Sequence, residues 1–267
     1  PETMSILTVF GGASVLPESL DYLAAVTDPR TQWMNNMCPY TFWFIRNIRE
    51  WWYFTGDDSY LAKHHAYLKA TFDNIERHIS SSNTLTGIKR PFLDWPTEHN
   101  RTAVLAGMQA LAVMAARTGK ELAEALDDAE WAEQCRKMES RLASVHPQPA
   151  GSKQAAALLA LTRLQDPQAM FSEVLGVNGN EGVSTFYGYY MLEGMAAAGE
   201  MQRAIDTVRD YWGGMLDMGA TSFWEDFNLA WTNNAFRIDQ YPIPGKKDVH
   251  GDYGEFCYSG FRHSLCH

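Results

Sequence analysis

Cysteine is sparse in this chain. The four that occur, Cys38, Cys135, Cys257 and Cys266, stand far apart, with no Cys-x-x-Cys pair and no Cys/His cluster at zinc-finger spacing. They read as free thiols, mostly core. His64 and His65 lie on adjacent faces of one predicted helix without an acidic residue at ligand spacing, so no metal is expected. Long apolar runs are missing as well. No stretch reaches the roughly 18 residues that a membrane-spanning helix needs, and the alanine-rich segments are broken by Arg, Lys or Gln. A soluble chain is expected. Positive charge is in deficit: 22 Lys and Arg against 32 Asp and Glu leave a net charge of -10, and the basic residues form no stripe that would track a phosphate backbone. Nucleic acid is therefore not expected as a partner, and neither is a membrane. A glycine-rich phosphate loop, a dinucleotide fingerprint and a nucleophilic Ser/His/Asp arrangement are also missing, which argues against phosphoryl and acyl transfer.

Apolar and aromatic side chains are plentiful. With 46% hydrophobic residues and 13% aromatics, 267 residues can bury a large core and do not describe a disordered tail. Many of the nine Trp and twelve Tyr stand beside Asn, Asp or Glu, a placement that suits carbohydrate contacts.

Helical periodicity dominates, and no convincing run of alternating strand residues occurs. Asp57-Asp58-Ser59 can cap a helix in which Tyr60, Leu61, His64, Leu68, Phe72 and Ile75 share one face. An aromatic-rich helix from about Tyr40 to Phe54 precedes it, with Thr55-Gly56-Asp57 as the corner. A second pair is predicted from about Thr102 through Ala116 and, after Thr118-Gly119, from about Lys120 to Leu142. A third runs from Lys153 to Leu164 with a short successor from Pro167 to Leu175. The fourth comprises Ser184 to Ala198 and Met201 to Met218, parted by Gly199. Loops rich in carboxylates, amides and aromatics recur after alternate helices: Lys89 to Glu98, Gly176 to Glu181, and Gly219 to Phe227. In a solenoid these would form a line, whereas in a closed ring of hairpins they converge at one end, which favours an all-α, (α/α)6 helical toroid. The aromatic-rich, weakly periodic stretch at about 228–262 is expected to pack over its mouth. The chain is read as a single domain, 1–267.

The segment Gly219-Ala220-Thr221-Ser222-Phe223-Trp224-Glu225-Asp226-Phe227 places a carboxylate directly after an indole. Gly219 can end one helix in a left-handed cap, and Thr221 or Ser222 can begin another, so Trp224 and Glu225 fall at a rim between helices. Trp224 could stack on a sugar and Glu225 could exchange a proton; a capped helix start with a core Trp and a solvated Glu satisfies the nonapeptide equally well.

Together with Trp212 and Met215 upstream, with Phe92-Leu93-Asp94-Trp95 and with Ser264-Leu265-Cys266-His267, this segment resembles the catalytic domain of bacterial α-L-rhamnosidases, glycoside hydrolase family 78. The resemblance extends over nearly the whole chain in the order and spacing of helices. It implies inverting hydrolysis of terminal α-L-rhamnosyl groups, with Glu225 as general base and Asp94, Trp95, Trp224 and His267 lining the sugar pocket. Inversion requires an opposed general acid with the two carboxyl groups roughly 6.5 to 9.5 Å apart. The Arg-Asp-Arg-like segment that carries that acid in the family does not occur in this sequence and is expected before Pro1; the barrel is expected to be incomplete at both chain ends. The resemblance implies a carbohydrate substrate and no cofactor, and leaves bacterial cytoplasm, periplasm and secretion open. Two alternatives stand beside it: a related (α/α)6 glycosidase of another sugar specificity, and a helical scaffold that binds a glycan without catalysis.

Overall fold

A computed structural model describes residues 2–224 and 227–247, and among these every regular element is helical. The all-α class expected from the periodicity is what is found; β pairing among the described residues is confined to isolated bridges, Ile79 with Leu85 and Ala235 with Lys247. The chain divides into two compact units. Among the described residues one comprises Glu2–Leu93 and Val104–Gln148, the other Asp94–Ala103 and those from Pro149 onward.

The first unit contains α1 (Glu2–Phe10), α2 (Val15–Val26), α3 (Cys38–Thr55), α4 (Asp58–Arg77), most of α5 (Arg101–Ala125) and α6 (Ala129–Ala143). The corner between α3 and α4 forms as expected: Gly56 adopts φ 67, returns its N–H to the Trp52 carbonyl, and hands over to Asp57, whose carboxylate accepts from the Tyr60 N–H at 2.9 Å. Leu61, His64, Leu68, Phe72 and Ile75 then fall on the buried face of α4. Each histidine of α4 has its own carboxylate, His64 with Asp21 at 2.9 Å and His65 with Asp128 at 2.8 Å. Burial pushes the His64 pKa down against the pull of Asp21.

One expected break is absent. Thr118-Gly119 does not divide two helices; α5 runs straight through it to Ala125. Gly119 serves close packing instead, because a Cβ there would come within 2.2 Å of the Phe72 ring, which itself stacks edge-on to buried Trp131 at 5.7 Å. The real turn lies at Asp127, left-handed at φ 54, and Asp128, which caps α6 by accepting from the Trp131 N–H at 3.0 Å. A glycine inside a helical pattern marks either a turn or an approach, and periodicity alone does not choose.

The second unit carries a short 3₁₀ turn (Trp95–Thr97), α7 (Lys153–Thr162), α8 (Pro167–Met170), α9 (Thr185–Ala197), α10 (Met201–Thr207) and α11 (Gly213–Asp217). From Ala155 to Leu161 helix α7 is apolar on all sides, and Ala155 to Ala160 are fully buried, as expected for a helix enclosed by its neighbours. Gly194 lets α9 approach it, since a Cβ there would sit 3.3 Å from the Ala157 Cα. The stretch expected as one helix from Met201 to Met218 is a single run that widens to a π-helical turn at Val208–Trp212; α8 widens likewise at Phe171–Leu175. Such bulges re-aim the chain beyond them. Here they precede the Gly176–Val183 and Gly219–Phe227 loops.

Candidate functional site

The polar centre of the second unit is assembled from three loop-to-helix junctions. At the first, Ser152 caps α7 by accepting from the Ala155 N–H at 3.2 Å, which puts Lys153 and Gln154 at the head of an otherwise apolar helix. At the second, Asp94 is extended and leads into the Trp95–Thr97 turn, and the Thr97 and Ser152 hydroxyls meet at 3.2 Å. At the third, Ser184 occupies the N-cap of α9 without using its hydroxyl as a cap.

These junctions meet on one carboxylate. The Ser184 hydroxyl donates to Asp94 Oδ2 in a short hydrogen bond, and Gln154 Nε2 stands 3.3 Å from the same oxygen. The Gln154 amide also faces the Gly182 carbonyl at 3.1 Å and Ser184 Oγ at 3.3 Å, while its Oε1 accepts from Ser152 Oγ at 3.1 Å. All four side chains are buried. A buried carboxylate persists only with donors around it, and this set provides them in fixed positions.

Lys153 anchors the next turn of chain. Its Nζ donates to the Gly179 carbonyl at 2.5 Å, within a turn where Asn178, Gly179 and Gly182 all take positive φ. Burial pushes the ammonium down to about 8, the nearby Arg203 charge acts in the same sense, and Glu181 opposes both. The turn so held delivers the Gly182 carbonyl and Ser184 to Gln154 and Asp94.

The third loop arrives through α9. Gly219 closes α11 at φ 90, and the Ala220 N–H returns to the Met215 carbonyl at 2.9 Å, the left-handed cap expected there. Five residues on, the Trp224 carbonyl accepts a short hydrogen bond from the Thr185 hydroxyl. The Trp224 ring is buried, edge-on to Phe227 at 5.5 Å, and Phe227 packs on Tyr211 at 5.5 Å.

Of the residues singled out from the sequence, Asp94 is buried at the centre of the network. Trp95 beside it is half exposed, and Trp224 is joined to the same α9 start through its main chain. The exposed aromatic next to Trp224 is Phe223. Glu225 and His267 lie outside the described residues, as does 248–262 of the long aromatic loop. Gln154, Ser184, Thr185 and Lys153 are not singled out as site residues by the sequence. The available signal was a Lys-Gln pair heading a helix of Ala and Leu; Lys153 and Ser184 read there only as the first residues of helices.

The all-α architecture is one that solved structures share. In structure the chain is similar to a family 78 rhamnosidase of Bacillus sp. GL1, with a TM-score of 0.68, 20% identity, and coverage of 90% of this chain and 28% of that one. It is also similar to a rhamnosidase from Klebsiella oxytoca solved with rhamnose bound, with a TM-score of 0.60, 19% identity, and coverage of 73% and 41%. The resemblance read from the sequence thus holds at the level of fold, and the chain spans less than half the length of either enzyme. No protein-family model matches the chain, and no curated protein matches it in sequence.

Proposed function

We propose that this chain is the helical catalytic part of an inverting α-L-rhamnoside hydrolase. The observation that carries the proposal is the buried Asp94 carboxylate, held by Ser184 and Gln154 beside half-exposed Trp95, in a chain whose fold is that of rhamnosidases. In this reading Asp94 accepts from sugar hydroxyls while its own donors, Ser184 and Gln154, hold it oriented. Trp95 offers a flat face to the apolar side of a deoxy sugar, and Trp224 forms the wall behind it. Glu225, directly after that wall, takes the proton from the attacking water, and an opposed acid protonates the leaving oxygen. His267 is assigned to the pocket through the Ser264-Leu265-Cys266-His267 match. The ligand is a terminal rhamnosyl group and no cofactor enters the chemistry.

Calorimetric titration of the chain with L-rhamnose tests the sugar site. Saturable binding is expected, with L-rhamnose preferred over D-glucose, and Asp94→Asn is expected to weaken it about tenfold by putting an amide donor where a carboxyl oxygen accepts. Equal affinity in wild type and Asp94→Asn would remove Asp94 from the pocket, and a preference for glucose would move the chain to a different sugar.

A further inference from the structure

Ser184 and Thr185 are adjacent in sequence, yet their hydroxyls leave in different directions to different loops. A serine at an N-cap ordinarily turns its oxygen back onto the second or third N–H of its own helix. Ser184 does not; it donates to Asp94 and lies 3.3 Å from the Gln154 amide. Thr185, one residue into the helix, donates to the Trp224 carbonyl. Both are buried. Their partners stand 90 and 39 residues away in the chain. Neither hydroxyl supports the helix that bears it, and each ties down a loop carrying a residue assigned above to the sugar pocket.

We propose that Ser184 and Thr185 are paired positioning residues that register the Asp94–Trp95 loop and the Trp224 loop against one helix start. The functional side of this inference rests on the rhamnoside-hydrolase reading; its geometric side does not. The two hydroxyls divide the work. Ser184 sets the orientation of a carboxylate that binds sugar, so its loss is felt in binding. Thr185 holds the main chain immediately before Glu225, so its loss is felt in turnover, where small displacements of a reacting group are costly.

The effects separate by experiment. In the natural protein that contains this chain, assayed on an aryl α-L-rhamnoside, Thr185→Val is expected to lower kcat about tenfold with KM within about twofold, and Thr185→Ser to restore it. Ser184→Ala is expected to raise KM, and the rhamnose Kd, about tenfold with kcat little changed. A second readout needs no activity. With 5-fluorotryptophan incorporated, the ¹⁹F resonance of Trp224, recognised by its loss in Trp224→Phe, is expected to shift in Thr185→Val, return in Thr185→Ser and stay in place in Ser184→Ala. If Thr185→Val shows no cooperative melt, Thr185→Ala takes its place with the same outcomes. An unmoved Trp224 resonance in the Thr185 variant, or a Thr185→Ser protein that restores neither the resonance nor kcat, overturns the proposal. A wild-type protein without rhamnosidase activity overturns the proposed function, and the resonance still decides the clamp.

Discussion

Asp94 and Gly119 show opposite ways in which one residue can shape its surroundings. Asp94 is a carboxyl group out of water, and its place depends on donors arriving from Gln154 and Ser184. Gly119 contributes by having no side chain: the Phe72 ring occupies the space a methyl group would need, and Trp131 closes against that ring. Gly119→Ala should gain up to about 1 kcal/mol of helix propensity but lose more to overpacking, for a net loss of about 1–2 kcal/mol. Urea denaturation of the variant measures this, and Phe72→Leu in the same chain should recover part of the loss. A Gly119→Ala protein as stable as wild type would mean that the ring yields at no cost.

At the scale of elements, α7 and its following turn act as one piece. Lys153 is buried at the head of α7 with its Nζ on the Gly179 carbonyl, and burial is the largest influence holding its pKa near 8, below the ordinary 10.5. Proton counting gives the sign of the consequence. Between pH 8 and 10.5 the unfolded chain keeps a proton that the folded chain has released, so this group makes stability rise with pH through that window. Below pH 8 the full cost of burying the charge is present. Lys153→Met should flatten the rise in urea midpoint between pH 8 and 10 relative to wild type. An identical rise in the two proteins would show that Lys153 titrates in the fold as it does in water.

The same scale shows what was legible in the sequence and what was not. The α3–α4 corner was legible because Gly56 and Asp57 act on near neighbours, and Gly219 closed its helix for the same reason. Gly119 was misleading because its partner, Phe72, lies on another helix. Asp94 and Trp95 were found through a resemblance, whereas the residues that hold Asp94 were not found at all. A buried hydroxyl or amide takes its meaning from its partner, and the partner of Ser184 is 90 residues away. Local pattern reports helix starts; it does not report where a capping residue spends its hydrogen bond.

For the molecule as a whole, fold and chemistry rest on different supports. Structural similarity to two rhamnosidases at 20% and 19% identity establishes the architecture, and the chain covers 28% and 41% of their lengths. Catalysis must be argued from the site. The site as described has a fixed carboxylate, an exposed indole beside it and a second loop held to the same helix start, with Glu225 next along that loop in the sequence. The most direct measurement is hydrolysis of an aryl α-L-rhamnoside by the natural protein that contains this chain, wild type against Glu225→Gln. If Glu225 is the general base, kcat falls by about 10²–10⁴ while rhamnose binding persists, since the amide keeps the shape but accepts no proton. Undiminished kcat in Glu225→Gln would contradict the mechanism at its centre.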